Sequence, residues 1–299
     1  MSLTLRHLNA DTSWLILFEN FKILLDPWLF GSQSEFCRYF STQEHAVRPS
    51  IQNINRDLGM QIDAIIISHE FTDHCHEKTL RSLSATIPVF ATTNASNLIR
   101  QWNYFQHVYE IPSLDDRPEN FTLSMLSGQR SELGMPSTIS VGYIREKGLT
   151  NLASLHGATC ISFLINKQQW RSLLYIPHGC KQSSIHDWLN QQCNVKVSVL
   201  LQGFNRIYNP IWLGGVLNYG CEKAAKLAVA VKAQYWIATH DEDILSSGLV
   251  SKFIKRDTSS ITDAQIQLNK YLTQNTDQRI TTTIHDVQNG DSLIVDLTI

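Results

Sequence analysis

The chain has 299 residues, with 25 Lys+Arg against 27 Asp+Glu, 43% hydrophobic and 17% charged residues. That length and apolar content exclude a disulfide- or zinc-stapled miniprotein and wholesale disorder. A formal charge of −2 offers no basic excess for nucleic acid or anionic lipid.

Leu3-Thr4-Leu5-Arg6-His7-Leu8 alternates and predicts a strand. Ser13–Phe18 and Lys22–Leu25 are two further apolar runs, separated by Glu19-Asn20 in a hairpin-like pattern that Asp26-Pro27 ends. Residues 31–60 are polar and irregular and read as a long excursion beside a site. Ala64–Ile67 is β-branched enough for a buried strand, and it runs directly into Ser68-His69-Glu70-Phe71-Thr72-Asp73-His74-Cys75-His76. A helix is expected over Glu77–Ser84, a strand at Val89–Ala91 and a strand at Val108–Ile111. Between those strands, Asn94–Trp102 places Ala95, Leu98, Ile99 and Trp102 on one helical face.

Strand signals then dominate at Phe121–Leu126, Ile139–Ile144, Cys160–Ile165 and Ser172–Ile176, with 145–159 a loop carrying His156. Helix–strand alternation resumes with Ile185–Asn190 and Val197–Leu201. Asn205–Gly220 reads as an aromatic, glycine-rich loop, either a substrate lid or a loop packed on the core. Cys221–Val231 predicts a helix and Tyr235–Ala238 a strand ending at Thr239-His240. Ile280–Ile284 and Ser292–Leu297 flank Asn289-Gly290, which predicts a closing hairpin. With no Pro-, Gly- or Ser-rich linker, residues 1–299 are expected to form a single domain. Strands, βα units, strands and βα units in that order fit an α/β four-layer αββα sandwich.

The apolar runs are strand-sized, so no stable membrane insertion is expected, and the N-terminus lacks the pattern of a secretory signal. The six cysteines (Cys37, Cys75, Cys160, Cys180, Cys193 and Cys221) are scattered without a CxxC pair. That spacing fits reduced thiols in a cytoplasmic protein.

The chemistry centres on histidine. His69, Asp73, His74 and His76 fall within eight residues, after a strand, where α/β proteins place ligand-binding groups. Imidazole and carboxylate together suit zinc, iron or manganese. A helix N-terminus capped by Asp73 and flanked by solvated histidines explains the same turn. Three distant histidines favour the metal reading. His178 follows Ser172–Ile176, His240 follows Tyr235–Ala238, and His156 precedes Cys160–Ile165. Strand ends fix ligands rigidly. Cys75 and Cys180 are read as small buried thiols beside better-aligned ligands. Asp26 either hydrogen-bonds a ligand histidine or ends its strand in an Asp-Pro turn. Asp241 and Glu242 either hydrogen-bond behind His240 or begin a helix, the helix N-terminus being favoured. Glu35–Phe40 is a candidate pocket wall.

The ordered set resembles the metallo-β-lactamase superfamily. The nearest likeness is to the branch of ascorbate-6-phosphate lactonase-like enzymes and the phospholipase D acting on N-acylphosphatidylethanolamine. Asp11–Ile16 followed by Ile23–Pro27 is similar to that branch's first strands. Asp-His-Cys-His at 73–76, Pro-His-Gly at 177–179, Trp-Leu-Gly-Gly at 212–215 and His-Asp-Glu at 240–242 resemble poorly characterised fungal members. The signature H-x-H-x-D-H maps onto His69 to His74, with Phe71 at the middle histidine. The resemblance implies a first metal on His69, residue 71 and His156. It implies a second metal on Asp73, His74 and His240, with residue 178 bridging both. Phe71 removes a ligand outright, and His178 replaces a bridging aspartate with a neutral imidazole. One metal held firmly on Asp73, His74 and His240, with His178 as a further donor, is therefore expected beside a weak or absent second, zinc before iron or manganese, with His76 in reserve.

Three functions follow. A metal-activated water would hydrolyse a small ester, lactone, amide or phosphodiester. In that reading Asp73 orients the water and His69 or His156 serves as general acid. Alternatively, four ligands fill the shell and the fold is a decayed enzyme acting as a binding or regulatory module. The third reading is a mononuclear iron oxidoreductase on a nitrogen-rich ligand set. No phosphate loop, dinucleotide fingerprint or serine elbow is present. A small-molecule substrate is the expected partner.

Overall fold

A computed structural model describes residues 1–35, 39, 41–51, 53–57, 62–114, 134–146, 155–167, 169–192, 194–275 and 281–298. The chain divides into two compact units. The first comprises 1–111, 242–253 and 287–299, the second 112–241 and 254–286.

The first unit is built on a seven-stranded sheet in the order 292–296, 2–7, 14–18, 21–25, 64–67, 89–91 and 108–110. The first three pairings are antiparallel. The last three are parallel. Parallel neighbours need both faces covered, which explains why Ala64–Ile67 is apolar at every position and buried throughout. One face, carrying Leu24, Ile65, Ile67, Val89 and Ala91, packs with Leu80 and with Ala95 and Ile99 of the helix Thr93–Gln101. The irregular reading of 31–60 is corrected. Gln33–Glu35 and Ser41–Glu44 pair as strands, Ser41–Glu44 also pairs with Leu245–Ser247, and Ile54–Asp57 is a short helix.

The second unit repeats the plan. Its six-stranded sheet runs 283–285, 235–237, 195–201, 169–175, 157–165 and 139–145. The pairs made by 139–145, 157–165 and 169–175 are antiparallel, and the rest are parallel. Its core joins Leu174, Leu200 and Trp236 of the sheet to Ile185, Ala228 and Leu268 of three helices, Gln182–Asn190, Cys221–Ala230 and Ile261–Gln274. Each sheet thus passes from an antiparallel meander to a parallel half whose strand ends are open to carry ligands.

Three further expectations change. Asn289-Gly290 does form a turn, but the strands beside it do not pair with each other. Ser292–Asp296 pairs with Ser2–Arg6, and Thr283–His285 pairs with Tyr235–Ile237. The strand expected from Cys160 begins at Gly157, and residues 147–154 of the expected loop lie outside the described residues. Asn205–Gly220 is an antiparallel pair, Arg206–Tyr208 with Val216–Tyr219. Its connecting turn exposes Ile211 and Trp212 and uses left-handed Gly214 and Gly215. The strand expected at Phe121–Leu126 lies outside the described residues, as do Phe36 and Phe40 of the pocket wall, while Tyr39 is exposed.

The helix Ile261–Gln274 has a full capping box, in which Ser260 Oγ accepts from Asp263 N–H and the Asp263 carboxylate accepts from Ser260 N–H. Ser260→Ala is expected to lower stability by about 0.5–2 kcal/mol, read as a shift in urea midpoint at constant slope. No helix among the described residues is long and apolar enough to cross a membrane.

Candidate metal centre

Each unit carries one group of expected ligands at the carboxyl ends of its parallel strands. In the first unit, Ala64–Ile67 delivers the turn Ser68–His76. Asp26 organises that turn from the end of the neighbouring strand Phe21–Leu25. Its Oδ1 accepts from Ser68 N–H at 2.7 Å, and its Oδ2 accepts from the Ser68 hydroxyl and from His74 Nδ1–H, the latter at 2.7 Å. Asp26 and His74 are both fully buried. Because the carboxylate can only accept, Nδ1 of His74 carries the hydrogen and Nε2 keeps its lone pair. Nε2 lies 3.7 Å from Asp73 Oδ2. A carboxylate–imidazole pairing of this kind is what prepares a histidine for a metal, and Asp26 also follows the end of its strand at Leu25.

Burial alone would push the His74 pKa down. The Asp73 and Asp26 carboxylates outweigh it and raise the ring to about 9. The lone pair on Nε2 thus belongs to the neutral ring, and without another cation the two carboxylates hold a second proton there.

His69 follows the same strand, buried, but its ring stacks on Phe71 at 4.3 Å and 16°. Its Nδ1 accepts from Phe71 N–H at 3.2 Å. Phe71 thus lays an aromatic face on the His69 ring. His76 does not face solvent as expected. It is buried, and its Nδ1 accepts from the backbone N–H and the hydroxyl of Thr79, capping the helix Glu77–Leu80. Burial lowers its pKa to about 4. Cys75 is buried, as expected.

In the second unit, His178 follows Gln169–Tyr175 and His240 follows Tyr235–Ile237. Their rings meet edge-on at 4.9 Å and 85°, and a ring nitrogen of one lies within 4.8 Å of one on the other. His178 Nδ1–H donates to Asn218 Oδ1 at 2.9 Å, leaving Nε2 with its lone pair. His240 takes a left-handed φ of 60°, a conformation uncommon outside glycine. His156 stands apart from this pair as a ligand. Its Nε2–H donates to Val216 O at 3.1 Å, and its ring stacks on Tyr219 at 4.4 Å. Burial pushes its pKa below the ordinary value, partly offset by the Glu146 carboxylate. Cys180 is buried, again as expected.

Asp241 and Glu242 do not begin a helix. The Asp241 carboxylate accepts from Phe204 and Asn205 N–H at 2.6 and 2.7 Å, tying down the turn after Val195–Leu201. In the first unit, Glu242 accepts from His45 Nδ1–H at 2.5 Å and Val47 N–H at 2.7 Å. Tyr219 lies in the stretch read as an aromatic loop or lid. Asn218 and Glu146 are functional candidates that reading the sequence missed.

The donor chemistry of each unit suits a divalent cation. In the first, Asp73 offers a carboxylate and His74 an Nε2; in the second, His178 offers an Nε2. In both histidines the partner nitrogen is already hydrogen-bonded.

No curated protein matches the chain. Solved structures resemble it throughout its length. A possible metal-dependent hydrolase from Veillonella parvula aligns with TM-score 0.60 and 16% identity over 98% of this chain and 99% of its own. The metallo-β-lactamase fold protein YhfI from Bacillus subtilis aligns with TM-score 0.56 and 12% identity over 98% and 99%. CmlA, a diiron β-hydroxylase from Streptomyces venezuelae, aligns with TM-score 0.56 and 14% identity over 99% of this chain and 54% of its own. These likenesses show the expected α/β fold class. A model of the beta-lactamase superfamily domain matches residues 7–240, most of the sequence, and the chain belongs to that superfamily.

Proposed function

We propose that this chain is a metal-dependent hydrolase in which Asp73, His74, His178 and His240 together hold one divalent ion. Zinc is the first candidate, with iron and manganese as alternatives. The observation that carries the reading is the matched preparation of two histidines. His74 donates Nδ1–H to Asp26 and His178 donates Nδ1–H to Asn218, each through a buried pair that leaves Nε2 as the ligand atom. Superfamily membership supports it.

A divalent ion bound there supplies Lewis acidity and a water of lowered pKa. The residues supply the rest. Asp73, only partly buried, uses its second carboxylate oxygen to orient the attacking water. His156 has its Nε2–H committed to Val216 O and a pKa held down by burial. It therefore takes a proton at Nδ1 and returns it to the leaving group. His69, outside the ligand set, is the other candidate acid. The substrate class is a small ester, lactone, amide or phosphodiester.

The test compares metal-loaded and chelator-stripped protein on nitrophenyl esters, lactones and bis(nitrophenyl) phosphate, with His74→Ala alongside. Turnover of at least one class by the loaded protein alone, lost in the variant, is expected. Equal and negligible rates in all three samples would overturn the proposal.

The count of donors favours one second reading. Four protein ligands complete a tetrahedral shell, which would make the metal a clasp in a binding or regulatory module. Cobalt-substituted protein whose spectrum does not respond to added anions would support that reading over hydrolysis.

A further inference from the structure

The short strand Val216–Tyr219 of the second unit grips two histidines that come from elsewhere in the chain. Val216 O accepts from His156 Nε2–H at 3.1 Å, and the Tyr219 ring stacks on His156. Tyr219 N–H donates to His178 O at 3.2 Å, and Asn218 Oδ1 accepts from His178 Nδ1–H at 2.9 Å. The strand is itself held. The Tyr219 hydroxyl donates to buried Glu146 at 3.0 Å. Gly179 leaves room for the Tyr219 ring, which a Cβ at that position would meet at 2.5 Å.

Asn218 is 3% exposed. Its oxygen is committed to His178, but its Nδ2, a donor of two hydrogens, is buried with no hydrogen-bond partner among the described residues. Buried donors are rarely left unpaired, because they forfeit their hydration without replacement. Oδ1 and Nδ2 hang on one carbon, so the orphaned donor sits beside the His178 ring. What would satisfy it is an acceptor oxygen.

We propose that Asn218 has two roles. Its oxygen is a positioning group that fixes the His178 tautomer, and its Nδ2–H donates to an anionic or polarised oxygen of the ligand, such as the carboxylate or acyl oxygen of substrate or product. This rests on the metal-hydrolase reading and adds an oxygen-recognition contact from this strand.

Cobalt-substituted wild type, Asn218→Asp and Asn218→Ala provide the test. Cobalt affinity is read by competition with a chelating dye. Affinities for acetate and thiocyanate are read from the cobalt spectrum. Asn218→Asp keeps an acceptor for His178 and removes the donor. Its cobalt affinity is expected to stay at or above that of wild type. Its acetate affinity falls ~10-fold more than its affinity for thiocyanate, a weak hydrogen-bond acceptor of equal charge. Asn218→Ala lowers cobalt affinity about 10–100-fold. If alanine does not fold, Asn218→Ser makes the same comparison. Acetate and thiocyanate weakening together in Asn218→Asp, or neither weakening, overturns the donor role. Wild-type cobalt affinity in Asn218→Ala overturns the positioning role. Wild type that binds no cobalt overturns the hydrolase reading and this proposal with it.

Discussion

Asp26→Ala is expected to destabilise the metal-free protein by about 3–5 kcal/mol, the cost of removing one partner of a buried pair. Three donors converge on that carboxylate: Ser68 N–H, the Ser68 hydroxyl and His74 Nδ1–H. Asp26 and His74 have no exposed surface, and Ser68 is 5% exposed, so water cannot replace the lost acceptor. Asp26→Asn separates packing from chemistry. Its remaining oxygen still accepts from Ser68, but an amide facing Nδ1 favours the tautomer with the hydrogen on Nε2, which cannot ligate. Most of the stability should return while metal affinity stays low, by about 10–100-fold. A urea midpoint for Asp26→Ala within about 1 kcal/mol of wild type would contradict this account of the pair.

The second large effect is a pH dependence of stability confined to the metal-free protein. His74 is raised to about 9 in the folded chain from an ordinary 6.5. A group that binds its proton more tightly when folded contributes stability that is fully present below its unfolded pKa. That contribution is lost as pH rises through the folded value. The window is therefore pH 6.5 to about 9. At roughly 1.4 kcal/mol per tenfold change in proton affinity, the loss is about 3 kcal/mol. A metal on Nε2 takes the place of the proton, so saturating metal should flatten the curve. Urea melts at pH 6 and 9.5, with chelator and with metal, measure both slopes, and His74→Gln serves as the control without the titrating ring. A chelated wild type as flat as His74→Gln would contradict the charge arrangement.

The turn that carries the proposed ligands was legible because its signals are local and dense. Ala64–Ile67 is apolar at every position, and Asp73 and His74 follow in the turn it delivers. His178 and His240 were legible for the same reason, each ending an apolar strand. What failed depended on partners distant in sequence. Asn289-Gly290 encodes a turn, but nothing local says that Ser292–Asp296 will pair with Ser2–Arg6. Asn218 was hidden because its strand has four residues and follows two glycines, so the segment reads as loop. The helix Ile261–Gln274 was overlooked because only Ala264 and Leu268 are buried in it. Its start was nonetheless written in Ser260 and Asp263, a capping box three residues apart. Phe71 reads as a lost ligand from its side-chain chemistry alone, but its stacking on His69 is visible only in the fold.

The most direct test is metal content per chain by elemental analysis, on protein purified without a metal-affinity tag, beside a His74→Ala, His240→Ala double variant. The account predicts about one zinc, iron or manganese ion per wild-type chain and essentially none in the variant. Equal metal in both, or none in a wild type supplied with each of these ions, would contradict a centre built on His74 and His240.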